Sequence, residues 1–269
     1  MKNTTHPPLP TGNSQLNTHY DLLTNWHQRF RLYPRLGALL GGADQAIIFQ
    51  QLHYGMQRNH GNPEYIRQGL TWVPRSIEKW HVSLEALTSI STMRRSFAHF
   101  RKLGIVLEDT FSTGSINRTS WRTIDYEHLN RIYTEKYFPA RTAAEGLVSP
   151  FHYTEKYVLI NPSLVSVVGG IPQAAFLQEV HHWTNHNAPR DKANNYHDGK
   201  VWMRRSQGEW IETVFPWLKR KETIKAYTAQ LRKAGLIHQA KYGRSDWDHT
   251  AWYSINYTRL HALIAEQNT

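Results

Sequence analysis

Between Ile90 and Leu103 the apolar residues Ile90, Met93, Phe97 and Phe100 recur at helical spacing. At about 100° per residue, the opposite side of that helix carries Ser91, Thr92, Arg95, His99 and Lys102, flanked by Arg94 and Arg101. A glycine, Gly104, ends the pattern, and two apolar-polar strands follow around a Gly/Ser/Asn turn, as far as Tyr126. Upstream, Ala46, Ile47, Phe49, Leu52 and Met56 predict another helix, with Asp44 as its cap. Before it, Pro34 suits the first turn of a short helix that stops at Gly41 and Gly42. Thr71–Arg75 reads as a short strand, and Ser76 as the cap of a further helix.

The whole pattern occurs twice. Pro34, Gly41, Gly42, Gln45, Ala46, Gln50, His53 and Asn59 match Pro162, Gly169, Gly170, Gln173, Ala174, Gln178, His181 and Asn187, each 128 positions further on. Trp72, Ser76 and Trp80 match Trp202, Ser206 and Trp210, with Ser206 again a cap. Arg101, Lys102, Gly104, Trp121, Ile124 and Tyr126 return 131 positions later as Arg232, Lys233, Gly235, Trp252, Ile255 and Tyr257. The drift in offset falls in loops, where insertions between folded copies are tolerated. A helix followed directly by a β-hairpin is the reading end of a winged helix-turn-helix. The expected fold is therefore α+β: two tandem winged helix-turn-helix domains from an internal duplication.

Expected boundaries are an N-terminal arm over residues 1–30, domains over 31–135 and 156–265, and a linker over 136–155. The arm includes a short helix from Tyr20 to Phe30. The pentapeptide Tyr-Thr-Glu-Lys-Tyr occurs at Tyr133–Tyr137 and again at Tyr153–Tyr157, out of register with the large repeat. Nothing in the sequence accounts for that recurrence.

Composition narrows the partners. Hydrophobic content of 40% and ten tryptophans are enough for two cores, and the formal charge of +11 favours a polyanion, nucleic acid first. The excess is spread over both halves rather than gathered in a tail. Without cysteine there are no disulfides or thiolate metal sites. No apolar run approaches the roughly 20 residues of a membrane span, and the N-terminus lacks the apolar core of a secretory signal. The chain is expected to be cytoplasmic, with no membrane partner.

Candidate DNA-binding residues follow from donor chemistry. On the first helix they are Ser91, Thr92, Arg94, Arg95, His99 and Lys102, with Arg95 best suited to the two acceptors of a guanine edge. In the first hairpin tip they are Asn117 and Arg118. The second copy is poorer in donors: its charge has moved to Lys219, Arg220 and Lys221 before the helix and Lys225 within it, with Thr223, Lys241 and Arg244 completing the set. Such a cluster grips phosphates better than it reads bases, so the first copy is expected to discriminate sequence and the second to hold the backbone. Asp246 and Asp248 would oppose a phosphate and turn the second wing away. Trp121, Trp252, Tyr126 and Tyr257 are expected to brace the hairpins, and Trp72, Trp80, Trp202 and Trp210 to lie in the cores.

Chemistry for catalysis is sparse. There is no phosphate-binding G-x-x-x-x-G-K-[ST] loop. Ser76-Ile77-Glu78-Lys79 spells S-x-x-K without its partner motifs. His181, His182, His186 and His197 lie close in sequence, but His181 matches His53, which marks a fold position. The expectation is a protein that is not an enzyme, with no cofactor and no metal.

The pieces PRLGALLGGADQAIIFQQLHYGMQRN, LTWVPRSIEKW, STMRRSFAHFRKLGIV and NRTSWRTIDYEHL, with their second copies, resemble the winged-helix domain of phage and plasmid replication initiators. The replisome-organiser (DnaD-like) N-terminal domain belongs to that group. The likeness spans roughly residues 31–132 and 158–262. It implies duplex DNA as partner, often an origin, with replisome proteins recruited and a homodimer as a candidate assembly. The second winged helix departs from that group, where a different C-terminal module often follows. A transcriptional repressor on the same domains is the alternative, and a protein-interaction scaffold the second.

Overall fold

The structure, a computed structural model, describes residues 30–111, 119–187, 192–242 and 250–267. The first half opens with strand β1 (Phe30–Leu32), helix α1 (Pro34–Leu40) and helix α2 (Ala43–Asn59). Pro34 occupies the first turn of α1, where its missing N–H costs nothing, and Gly41 closes the helix at φ 101°, a left-handed conformation that favours glycine. Gly42, not Asp44, is the N-cap of α2. Asp44 lies inside the first turn, where its carboxylate still meets the positive end of the helix dipole. Phe30, expected at the end of a helix, is in a strand; the rest of that expected helix lies outside the described residues.

A two-residue turn follows in the hairpin β2 (Ile66–Arg67) and β3 (Leu70–Thr71). Gln68 (φ 53°) and Gly69 (φ 75°) both take positive φ, the conformation that suits the twist of a tight hairpin. Next come β4 (Val73–Pro74), α3 (Ile77–Val82), α4 (Ile90–Lys102), β5 (Val106–Asp109), β6 (Trp121–Ile124) and α5 (Tyr126–Tyr137). Ser76 caps α3 as expected, accepting from the Lys79 amide at 3.3 Å. The sheet order is β4-β6-β5, antiparallel throughout, with Pro74 opposite Trp121 and Val106 opposite Ile124.

The same succession fills the second half: β7 (Val158–Ile160), α6 (Pro162–Val168), α7 (Ile171–Asn187), a short turn of helix α8 (Lys192–Asn195) and the hairpin β8 (Tyr196–His197) and β9 (Lys200–Val201). It continues with β10 (Met203–Arg205), α9 (Gln207–Thr213), α10 (Glu222–Lys233), β11 (Ile237–Ala240), β12 (Ala251–Ile255) and α11 (Tyr257–Gln267). The sheet order is again edge–centre–edge, β10-β12-β11. Ser206 caps α9 within a full capping box with Glu209.

The halves are joined by their first strands. β1 pairs antiparallel with β7, Phe30 opposite Ile160, Arg31 opposite Leu159 and Leu32 opposite Val158. Buried side chains from both halves form one continuous apolar cluster that includes Leu32, Phe49, Phe100, Ile160, Phe176 and Trp210. Gly37 of α1 lies under Trp217 of the second half, so close that a Cβ there would sit 2.7 Å from the indole. His53 and Tyr126 hydrogen-bond at 2.8 Å across the first half, and His181 and Tyr257 at 2.9 Å across the second. Tyr126 and Tyr257 thus tie α5 and α11 to the long helices.

The segment with linker composition is packed against the first half. Phe151 stacks on His53 with ring centroids 3.7 Å apart, and buried Glu155 meets Arg35 at 3.3 Å. The first Tyr-Thr-Glu-Lys-Tyr run ends α5, with Tyr137 Oη donating to the Arg35 carbonyl at 2.7 Å and Lys136 to that of Ala38. Both copies of the pentapeptide therefore close on α1, one by hydroxyl and ammonium, the other by carboxylate.

Candidate nucleic-acid interface

Helix α4 separates its faces cleanly. Met93, Phe97 and Phe100 are at most 1% exposed, held by Phe49 of α2 and Trp80 of α3. Ser91, Arg94, Arg95 and Lys102 are exposed, and Thr92 and His99 half-buried. Ser89, which sequence reading did not single out, is the N-cap: its Oγ accepts from the Thr92 amide at 3.2 Å. That Oγ also bonds the hydroxyls of Ser91 (2.9 Å) and Thr92 (3.0 Å), and Thr92 Oγ1 accepts from Arg95 at 3.3 Å. The start of the helix therefore presents a linked set of hydroxyls with one guanidinium. The signal for Ser89 was available, since a serine just before the first apolar-periodic residue is a preferred cap.

Arg94 and Arg101, seven residues apart, share a stripe along α4. Each is held by a carboxylate, Arg94 by Glu78 at 3.2 Å and Arg101 by Glu108. Arg95 and Lys102 form the neighbouring stripe, and among the described residues neither makes an ion pair. Arg75, at the end of β4, lies over Trp80 at 4.7 Å. Its guanidinium pKa is held down by burial and then by the like charge of Arg58. Neither arginine was among the candidates marked by the sequence pattern.

The corresponding helix of the second half is engaged with its own neighbours. Gln230, at the position of His99, accepts from Gln173 at 2.9 Å and donates to the Val168 carbonyl at 3.2 Å. Tyr227 packs on Phe215 at 5.9 Å, and burial followed by the charge of Asp44 raises its pKa. Arg205, the counterpart of Arg75, is neutralised by Glu179 at 3.2 Å. Lys219, Arg220, Lys221, Lys225 and Lys241 are exposed, with Glu222 exposed among them and Thr223 half-buried. Lys221 at the N-cap position is helical and makes no side-chain cap. Asn117, Arg118 and Arg244, expected at the hairpin tips, lie outside the described residues.

The histidines have local partners. His53 and His181 are held at a pKa of about 4, chiefly by burial. His197 stacks on Tyr242 at 4.2 Å. Among the described residues no group of His, Asp and Glu side chains could hold a metal ion. No described helix is long and apolar enough to cross a membrane.

No family model matches the chain, and no curated protein or solved structure is significantly similar to it. The functional reading rests on the geometry above.

Proposed function

We propose that this chain binds duplex DNA through two winged helix-turn-helix units, the first reading sequence and the second gripping the backbone. The observation that carries the reading is the contrast between α4 and α10. α4 buries Met93, Phe97 and Phe100 and leaves Ser91, Arg95 and Lys102 open at the surface. In α10 the equivalent line is interrupted by Gln230, bound to Gln173 and Val168. A helix can read the major groove only if donors on its outer face are free to meet base edges. The order helix–strand–helix–helix–hairpin, with the first strand beside the last, is the arrangement a winged helix requires.

Three cations at Lys219–Lys221 stand before the N-terminus of α10, where the helix dipole already disfavours positive charge. An approaching phosphate removes that conflict. In this reading the chain is a binding protein rather than an enzyme, and initiation of replication on a phage, plasmid or other mobile element is its role. Selection of bound duplexes from a random pool, followed by footprinting on the source replicon, tests this. Clustered repeats beside an AT-rich stretch support initiation, and a single site over a promoter supports repression. A bound protein partner without salt-sensitive DNA binding would make the chain a scaffold.

A further inference from the structure

Arg122 of β6 is the buried charge that the reading above leaves unused. Its side chain is 3% exposed, yet it carries a guanidinium into the packed side of the first half. One nitrogen donates to the Arg75 carbonyl at 2.8 Å, another to Glu108 Oε1 at 2.7 Å, and the group lies 4.4 Å over the Phe97 ring. Burial, ahead of the charge of Arg101, lowers its pKa to about 10. The other oxygen of Glu108 holds Arg101, on the exposed stripe of α4. One carboxylate is thus shared by a buried arginine and a surface arginine that is 47% exposed.

The second half does not repeat this set at the matching positions. At the positions 131 residues on from Arg101, Glu108 and Arg122 stand Arg232, Gln239 and Tyr253. Tyr253 instead packs edge-on against Phe176 at 5.1 Å. A buried ion pair contributes little net stability over an apolar replacement, so the fold alone gives no reason to keep it in one half. Removing one partner of such a pair is costly because it strands a charge. With two arginines on Glu108, the exposed one can leave without stranding anything.

We propose that Arg101 is a ligand for a nucleic-acid phosphate, held by Glu108 in the free protein and exchanged onto the backbone on binding. Arg122 is the positioning residue that keeps Glu108 compensated after the exchange. The proposal rests on the DNA-binding reading and adds a phosphate contact and a built-in competitor to it.

The test is a double-mutant cycle read by binding of the full chain to mixed-sequence duplex DNA across a salt series. Arg101→Ala is expected to weaken binding and to reduce the slope of log K against log salt by about one. Glu108→Gln, which keeps an oxygen for Arg122, is expected to tighten binding about two- to fivefold, the scale of one exposed ion pair, with the slope unchanged. The gain should vanish when Arg101→Ala is already present. A gain that persists there is a general charge effect and overturns the exchange; weaker binding by a folded Glu108→Gln overturns it too. Thermal melting of each variant separates misfolding from lost contact, and Arg122→Met supplies a second variant in which the Glu108→Gln gain should persist. If the unaltered chain shows no salt-sensitive DNA binding, the DNA reading itself fails; if it does and Arg101→Ala changes nothing, this inference alone fails.

Discussion

Arg31 pairs across the β1–β7 ladder with Leu159, the residue 128 positions further on. That is the offset relating Pro34 to Pro162 and Gly41 to Gly169, so each strand pairs with the segment at its own position in the other half. Phe30 opposite Ile160 and Leu32 opposite Val158 repeat the relation with the strands exchanged. Leu32 and Ile160 are fully buried there. Ile160→Ala is expected to cost about 2–5 kcal/mol in denaturant unfolding. Because the cluster is continuous, the unaltered chain should unfold in one transition; two separate transitions would contradict a shared core.

Gly37 presents an inverted helix-propensity test. Glycine to alanine inside a helix ordinarily stabilises by about 1 kcal/mol. Here the added Cβ would lie 2.7 Å from Trp217, so Gly37→Ala is expected to destabilise. In a Trp217→Ala background the same change should regain its usual sign. Chemical denaturation of the four proteins checks this, and a stabilising Gly37→Ala in the otherwise unaltered chain would remove the close contact from the account.

His53 and His181 make stability depend on pH. Both titrate at about 4 in the folded protein, against about 6.5 when unfolded. Between these values the unfolded chain binds more protons, so stability is complete above pH 6.5 and falls as the pH drops toward 4. The ceiling is about 1.4 kcal/mol per pH unit for each histidine, lower for His53, which is partly exposed. A His53 or His181 imidazole resonance that titrates near 6.5 in the folded protein would contradict the buried His–Tyr pairs.

Local chemistry was legible in the sequence, and long-range pairing was not. Ser76, Ser206, Pro34 and Gly41 do what their residue types prescribe, because caps and turns are decided within a few residues. The inward face of α4 followed from spacing alone. Asp44 misled because Gly42 already supplies the cap. β1 and β7 are three-residue strands whose partners lie more than a hundred positions away, and no short-range pattern announces them. No short-range pattern marks Arg122; only the fold places Glu108, Phe97 and Arg75 around it.

Arg95 and the Lys219–Lys221 cluster should fail differently. Arg95→Ala is expected to cost about 1–3 kcal/mol on the selected site and much less on random duplex, relaxing specificity. Replacing Lys219, Arg220 and Lys221 by alanine should weaken both targets alike and lower the salt slope by up to about three. Competition binding with the two duplexes distinguishes the outcomes; equal losses for Arg95→Ala on both would remove the division of labour between the halves.

The most direct measurement is the affinity of the full chain for duplex DNA between about 50 and 200 mM salt, beside an Arg95→Ala/Lys102→Ala variant. The account predicts a steep linear fall of log K with log salt, and a weaker, shallower line for the variant. No binding, or binding indifferent to both salt and the variant, would contradict the claim that α4 faces DNA.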